Sequence, residues 1–488
     1  MNGAMIVYIL GQVLRIEGLL MLPSFFVGLC YGEKQGWAYL LMGGVCLLVG
    51  TLISFKKPKN TTIYLKEGCV STALCWIVLS AFGAVPFVLT GEIPRFIDAM
   101  FETVSGFTTT GSSILTDVES MSHPSLFWRS FTHWIGGMGV LVFLLAVLPM
   151  AGGSQFNLMK AESPGPSVGK LVPKVSTTAR LLYVIYFGLT VATFLLLLLG
   201  GMELFDAITI SFGTAGTGGF GVKADSCASY SNFCIWVITI FMLLFGVNFN
   251  FYYFLFANRI KEAFRIEEVR WYLMIVLGAT AVCFLTLIDE LGTFDSLTHA
   301  AFQVATIITT TGFATMDFDL WHSVARTVLV LLMFCGACAG STGGGIKVSR
   351  IIVFIKSAVK EMGSYIHPRS VKRVKVEGRT VEHEAIRSIN VYLTTYVLIF
   401  ALSVFLISLE GKDLVTTFTS VAATINNIGP GLATVGPTAS FAHMTDLSKC
   451  VLIFDMLAGR LELFPMLILF HPTIWKQAFQ RKGRRQAA

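Results

Sequence analysis

The chain has 488 residues, of which 54% are hydrophobic and 13% are charged, and its formal net charge is +7. A soluble domain carries about 25% charged residues, so this chain has too few charges to cover the surface of a soluble protein of its size. The composition argues against a soluble enzyme, a disordered chain and a secreted disulfide scaffold, and it predicts a polytopic membrane protein.

Hydropathy predicts ten membrane-spanning segments. They are expected to be helices, because backbone polar groups in lipid must be satisfied within their own segment. The predicted spans cover residues 5–31, 37–54, 67–90, 126–150, 180–201, 232–257, 271–289, 324–355, 388–409 and 448–470.

Basic residues are concentrated in alternate connections, after the second, fourth, sixth, eighth and tenth spans. The positive-inside rule therefore predicts that both termini lie in the cytoplasm. The groups are Lys56, Lys57 and Lys59; Lys160, Lys170 and Lys174; Arg259, Lys261, Arg265 and Arg270; Lys356, Lys360, Arg369, Lys372, Arg373, Lys375, Arg379 and Arg387; and Lys476, Arg481, Lys482, Arg484 and Arg485. The largest basic connection, residues 356–387, is either a solvated charge run or a docking site for a soluble subunit, and the sequence leaves both open.

The ten cysteines are scattered, mostly within apolar stretches, which is typical of core positions rather than of a metal site. Cys335 and Cys338 form a C-x-x-C pair, but no βαβ pattern surrounds it, so small packed residues are the better interpretation. Cys227 and Cys234 lie near a predicted external loop, where a disulfide is conceivable.

Four external connections, after spans three, five, seven and nine, share one pattern. Each contains an Asp (Asp98, Asp206, Asp295, Asp413), an apolar stretch too short to cross a membrane, and a Gly preceded by small polar residues. The four read Thr108-Thr109-Thr110-Gly111, Ala215-Gly216-Thr217-Gly218, Thr309-Thr310-Thr311-Gly312 and Asn426-Asn427-Ile428-Gly429. This repetition predicts four units of span, re-entrant helix, extended segment and span.

Such segments fit a pore. Non-helical backbone at membrane depth survives only where it lines a cavity or is buried in protein. Glycine lets carbonyl groups turn toward an axis, and a ring of carbonyls can replace the hydration shell of a monovalent cation. A single segment would be better explained as a Gly/Thr-rich loop, but four on one side predict a selectivity filter.

Together with two further motifs, these segments resemble the potassium-transporter superfamily that includes the bacterial Trk and Ktr subunits and the plant HKT proteins. The further motifs are His133-Trp134-Ile135-Gly136-Gly137-Met138-Gly139 and Gly340-Ser341-Thr342-Gly343-Gly344-Gly345-Ile346-Lys347. The resemblance covers nearly the whole chain, and the two extra N-terminal spans resemble the TrkH branch. It implies an all-α polytopic membrane protein with two N-terminal transmembrane helices and four membrane–pore–membrane repeats around one central pore.

The expected division of the chain follows from these repeats. It comprises an N-terminal helix pair (1–60), repeat 1 (61–155), repeat 2 (156–260), repeat 3 (261–365), repeat 4 with its preceding cytoplasmic loop (366–474) and a basic cytoplasmic tail (475–488).

The resemblance assigns one filter glycine to each repeat: Gly111, Gly218, Gly312 and Gly429. In this superfamily four glycines accompany potassium selectivity, whereas a serine at the first position accompanies sodium permeation. The second segment departs most from the common pattern, so its geometry is the least defined. The residues expected to contact K⁺ are Thr109, Thr110, Gly111, Thr217, Gly218, Thr310, Thr311, Gly312, Asn427, Ile428 and Gly429.

The eighth span is predicted to be broken, because five of the ten residues 336–345 are glycine and each costs about 1 kcal/mol relative to Ala within a helix. A close-packed glycine face is the alternative. The resemblance implies an intramembrane loop that gates the pore, with the candidate residues Gly340, Ser341, Thr342, Gly343, Gly344 and Gly345.

Charged and histidine side chains within the spans have several interpretations. Arg460 is expensive at membrane depth; it either pairs with Asp455 or Glu462 or, as the resemblance implies, projects toward the pore near the gate. Arg129 and Lys449 are interpreted as snorkelling anchors at helix ends. Helix ends and interfaces are the expected positions of His133, His299, His322, His443 and His471.

These observations predict potassium uptake across the bacterial inner membrane, with an ion-coupled symporter of K⁺ or Na⁺ as the alternative. The sequence has no H-E-x-x-H, no G-x-S-x-G and no paired intramembrane aspartates, so an enzyme is not expected. It has no P-loop and no G-x-G-x-x-G after a strand, so no organic cofactor is expected. The resemblance implies a homodimer and a cytosolic nucleotide-binding subunit of the TrkA type that regulates gating. A nucleic-acid partner is not expected.

Overall fold

The computed structural model describes residues 1–139, 175–369 and 373–474, with backbone alone at 175–178. Within these residues, six helices are long and apolar enough to cross a membrane, and a bent pair, Asn232–Phe245 with Phe249–Phe256, is a seventh candidate. The six are Gly3–Tyr31, Gly36–Ile53, Leu65–Thr90, Ala179–Leu199, Glu267–Leu291 and His383–Ser408. The predicted polytopic membrane fold is confirmed.

The first two spans form a hairpin whose helices touch through glycines. The first span consists of Gly3–Leu20 and Leu22–Tyr31, and it packs on Gly36–Ile53. A Cβ at Gly18 would lie 2.6 Å from the carbonyl oxygen of Gly43, and one at Gly11 would lie 2.8 Å from that of Gly50. Small residues allow this backbone approach, which transmembrane helices use in place of a hydrophobic driving force.

Four repeats follow, each with an outer helix, a short pore helix and an inner helix. The pore helices have 12 to 16 residues, or about 18–24 Å at 1.5 Å per residue, which is less than the ~30 Å hydrocarbon core. Repeat by repeat, the helices are Leu65–Thr90, Phe96–Phe107 and His123–Met138; Val175–Leu199, Leu204–Gly216 and Asn232–Phe245 with Phe249–Phe256; Glu267–Leu291, Thr293–Ile308 and Ser323–Met333, continued by Val348–Ile366; and His383–Ser408, Leu414–Ile425 and Asp446–Arg460 with Phe464–Leu469.

Three inner helices are interrupted. The sixth predicted span, 232–257, is not one straight helix, because its two parts meet at 91°. The Asn248 side chain caps the second part by accepting from the Asn250 N–H. The predicted break in the eighth span is confirmed: the helix ends at Met333 and resumes at Val348. The tenth predicted span breaks at Glu462 and Leu463, which both have positive φ.

The long basic connection before repeat 4 contains a two-stranded hairpin, Lys375–Val376 with Arg379–Thr380. The Lys356 ammonium holds it against the adjacent helices by donating to the Lys375 carbonyl at 2.9 Å and to Glu267 at 2.5 Å. Nine of the basic residues named above lie outside the described residues: Lys160, Lys170, Lys174, Lys372, Lys476, Arg481, Lys482, Arg484 and Arg485.

None of the ten cysteines, all of which lie in the described residues, forms a disulfide. Cys227 and Cys234 are both buried but form no bridge, so the disulfide that the sequence left open is absent. Cys335 and Cys338 are likewise unpaired.

Candidate functional site

The same backbone geometry follows each pore helix. After each pore helix, one residue has a φ between 53° and 56°. The N–H of the next residue donates a hydrogen bond to the carbonyl five residues earlier, near the end of the pore helix. The positive-φ residues are Thr109, Thr217, Thr310 and Asn427. The five-residue hydrogen bonds run from Thr110 to Ser105 (2.8 Å), Gly218 to Gly213 (2.9 Å), Thr311 to Thr306 (2.8 Å) and Ile428 to Ala423 (2.8 Å).

This geometry corrects the sequence alignment of repeat 2. Gly218 matches Thr110, Thr311 and Ile428, so the residue equivalent to Gly111 is Gly219. Gly219 has a φ of 78°, close to the 82°, 92° and 108° of Gly111, Gly312 and Gly429. The prediction that Gly218 is the filter glycine is therefore wrong by one residue, because a Thr-Gly-Gly sequence offers two candidates and only the backbone conformation separates them. We call residues 108–111, 216–219, 309–312 and 426–429 the four filter segments.

The four filter segments close into a ring. A Cβ at Gly111 would overlap the carbonyl oxygen of Gly218, one at Gly219 that of Thr311, and one at Gly312 that of Ile428. A Cβ at Gly429 would lie 2.8 Å from the carbonyl oxygen of Thr110, which completes the circle. Each glycine thus touches the next repeat, and only a residue without a side chain fits there.

The predicted filter residues lie together inside the protein. The side chains of Thr109, Thr110, Thr217, Thr310, Thr311, Asn427 and Ile428 are fully buried. Thr110 and Thr311 each share a hydroxyl hydrogen bond with the threonine two residues earlier, at 2.8 and 2.7 Å. Asn427 donates to the Thr110 hydroxyl at 3.0 Å, so the side chains of segments 1 and 4 are joined directly.

Charged residues inside the protein support the ring. The Arg129 guanidinium is buried and donates to Glu102 on pore helix 1 at 2.6 Å and to the Gly221 carbonyl just after filter segment 2 at 3.0 Å. Lys449 is also buried and donates to Asp98 at 2.6 Å. The interpretation of both as snorkelling anchors is wrong, because each has a carboxylate partner on pore helix 1 that the sequence pattern does not identify.

Replacing Arg129 by methionine is expected to lower the free energy of unfolding by about 3–5 kcal/mol, because Glu102 is left as an unpaired buried charge. A denaturant titration in detergent micelles measures this change. Arg95→Met is the matched control, since its pair with Asp446 is more than half exposed and is expected to contribute about 0–1 kcal/mol. Similar losses in both variants would contradict the prediction.

The broken segment of repeat 3, residues 334–347, lies against the filter and is called the gate loop. Its Gly344 N–H donates to the Thr310 hydroxyl in filter segment 3 at 2.6 Å. A Cβ at Gly344 would lie 2.8 Å from the carbonyl oxygen of Asn426 in segment 4. The loop is also hydrogen-bonded to the bend of repeat 2. The Cys338 N–H donates to the Gly246 carbonyl at 3.0 Å, and the Phe249 N–H donates to the Gly340 carbonyl at 3.1 Å.

Three charged side chains hold the gate loop. The buried Glu268 carboxylate accepts from the Ala339 N–H at 2.7 Å and from the Ser349 N–H at 3.0 Å, so it ties the loop to the first turn of helix Val348–Ile366. Lys347 donates to the Gly343 and Gly344 carbonyls. The role of Glu268 was missed, because a carboxylate at the start of a predicted span is an ordinary interfacial feature.

Arg460 is the third of these side chains, and it bridges repeats. Its guanidinium donates to the Thr342 carbonyl in the gate loop at 2.8 Å and to the Gly136 and Gly137 carbonyls of repeat 1 at 2.5 and 2.9 Å. Glu462 contacts Arg350, and Asp455 accepts from Ser403 at 2.8 Å. Arg460 therefore lies beside the gate loop; that it projects toward a pore stays a prediction.

His133 also differs from its prediction. It is fully buried beside filter segment 2 rather than at a helix end or interface. Its Nδ1 lies 2.8 Å from the Gly106 carbonyl oxygen, and its Nε2 accepts from the Phe220 N–H at 3.2 Å.

A family model described as "TrkH: Cation transport protein" matches residues 38–477. The chain belongs to the TrkH family of cation transport proteins. It is 36% identical over 475 residues to the Trk system potassium uptake protein TrkH of Salmonella typhimurium, covering 95% of this chain and 97% of that one. It is 30% identical over 485 residues to the Trk system potassium uptake protein TrkI of Halomonas elongata, covering 97% of both.

Structural comparison agrees with the assignment to the TrkH family. The crystal structure of the potassium transporter TrkH from Vibrio parahaemolyticus matches with a TM-score of 0.87 at 32% sequence identity, over 97% of this chain and all of that chain. This chain is therefore a multi-pass membrane transporter.

Proposed function

We propose that this protein takes up potassium ions through the ring formed by its four filter segments. The observation that carries the proposal is the closure of that ring, in which Gly111, Gly219, Gly312 and Gly429 each face a carbonyl of the neighbouring repeat. Backbone carbonyls can replace the hydration shell of K⁺. The names of the relatives, which are potassium uptake proteins, support the choice of ion.

Several further features belong to the same proposal. The gate loop and Arg460 would control passage through the ring, since the gate loop lies against the ring and Arg460 donates to the gate loop at Thr342. The alternating basic connections support cytoplasmic termini and an inner-membrane location. We infer a homodimer and a docking site for a TrkA-type cytosolic subunit. The inference is supported by the hairpin at 375–380 and by exposed apolar residues of helix Val348–Ile366, such as Val359 and Met362. The repeat boundaries at 61–155, 156–260, 261–365 and 366–474 remain part of the proposal.

The experiment compares K⁺ and Na⁺ flux in proteoliposomes for the wild type and Gly111→Ser. We expect potassium-selective flux in the wild type and a loss of selectivity of about tenfold or more in the variant, because the added side chain would overlap the Gly218 carbonyl that coordinates the ion. Gly44→Ser is the control, since no atom lies within 4 Å of its Cβ position.

Two outcomes would change the proposal. Equal K⁺ and Na⁺ flux in the wild type would overturn the selectivity of the filter. Flux that requires a Na⁺ or H⁺ gradient in fixed proportion would support the ion-coupled symporter instead. An inactive wild type would be measured again with the cytosolic subunit added.

A further inference from the structure

Filter segment 2 lacks the side chains that hold the other segments in place. The position before the filter glycine is Thr110, Thr311 or Ile428 in repeats 1, 3 and 4, and it is Gly218 in repeat 2. Two residues earlier, the other repeats have Thr108, Thr309 or Asn426, and repeat 2 has Gly216. In repeats 1 and 3 the hydroxyls of the two threonines hydrogen-bond to each other. Repeat 2 has no equivalent of this hydrogen bond, because both positions are glycine.

The inner helix of repeat 1 occupies the vacated space. A Cβ at Gly218 would overlap the imidazole ring of His133, and a Cβ at Gly216 would overlap the carbonyl oxygen of the same residue. The two missing side chains of repeat 2 are thus replaced by the side chain and the backbone of one histidine. The absence of side chains at Gly216 and Gly218 is what allows this approach.

The imidazole joins two repeats by hydrogen bonds of fixed direction. The Gly106 carbonyl can only accept and the Phe220 N–H can only donate, so the ring carries its proton on Nδ1 and is neutral. Gly106 lies near the end of pore helix 1, and Phe220 directly follows the filter glycine of repeat 2. The Phe220 ring also packs against the His133 ring at a tilt of 35°, with centroids 4.2 Å apart. His133 therefore ties the C-terminal end of filter segment 2 to pore helix 1.

We propose that His133 is a positioning residue for ion selectivity, which sets the place of the filter segment 2 carbonyls through Gly218 and Phe220. This inference rests on the proposed function, because it assumes that those carbonyls meet the ion. The Gly218 carbonyl packs against Gly111, so a displaced segment 2 would alter the ring where repeats 1 and 2 meet. Selectivity between K⁺ and Na⁺ depends on the spacing and number of such carbonyls.

The first test is His133→Leu, which keeps a side chain of similar bulk and removes both hydrogen bonds. We expect the K⁺-to-Na⁺ flux ratio to fall about fivefold or more, because the Gly106 carbonyl and the Phe220 N–H lose their partners, while total K⁺ flux changes less. A merely structural role would lower both fluxes together through loss of folded protein. Trp134→Phe is the control, since the adjacent indole donates its one N–H to Thr190 in helix Val175–Leu199 rather than to a filter segment.

A second pair of variants keeps the proposal testable if His133→Leu does not fold. Gly218→Ala alone is expected to lower the flux ratio, because its methyl group meets the imidazole ring. In a His133→Ala background the same Gly218→Ala change is expected to have little further effect, because the ring is gone. Equal effects of Gly218→Ala in both backgrounds would overturn the proposed contact.

The possible failures can be told apart. If the wild type does not discriminate K⁺ from Na⁺, the proposed function fails. If the wild type discriminates and Gly111→Ser loses selectivity, but a folded His133→Leu keeps the wild-type ratio, only the role of His133 fails.

Discussion

Replacing Gly219 by alanine is expected to abolish potassium-selective flux in proteoliposomes. A Cβ at this position would overlap the carbonyl oxygen of Thr311 and would lie 2.9 Å from the carbonyl carbon of Gly312. The φ of 78° adds strain of about 1–2 kcal/mol for any L side chain. Because the ring closes through this contact, filter segments 2 and 3 cannot both keep their positions.

The matched control for this prediction is Gly278→Ala. Gly278 lies within helix Glu267–Leu291 and has no atom within 4 Å of its Cβ position, so we expect unchanged flux and a gain in stability of up to about 1 kcal/mol. If Gly219→Ala kept the wild-type K⁺-to-Na⁺ flux ratio, the assignment of Gly219 to the ring would be contradicted.

Replacing Arg460 by methionine is expected to raise the initial rate of K⁺ flux several-fold. The change removes the hydrogen bonds that tie the gate loop, at Thr342, to repeat 1, at Gly136 and Gly137. It also removes a positive charge from the neighbourhood of the filter, where a cation is repelled more strongly than in bulk water because the effective dielectric constant is lower. The K⁺-to-Na⁺ ratio should be unchanged, since the filter segments are untouched.

Arg326→Met serves as the control for the loss of a charge. Arg326 is partly exposed and lies 3.6 Å from Asp319, and we expect its replacement to leave the flux rate unchanged. An Arg460→Met protein with the wild-type unfolding temperature and a wild-type or lower flux rate would argue against a gate at this position.

The sequence predicted the features that depend on local chemistry. Apolar length located the spans, and the glycines of residues 336–345 predicted the break between Met333 and Val348, because several glycines in a row do not maintain a helix. The repeated Thr/Gly pattern predicted four equivalent segments, and it placed Gly111, Gly312 and Gly429 at positions that share one backbone geometry. Each of these inferences needs only the residues of its own segment.

The tertiary structure decided which residues meet across repeats. Gly219 rather than Gly218 is the structural counterpart of Gly111, because its backbone faces Thr311, which is 92 positions further along the chain. Arg129 and Lys449 are buried because pore helix 1 supplies their carboxylates. His133 packs against filter segment 2 because repeat 2 has no side chains at Gly216 and Gly218. Local sequence propensity does not predict such contacts. They form only when the four repeats close around one axis and bring distant backbone groups within hydrogen-bonding distance.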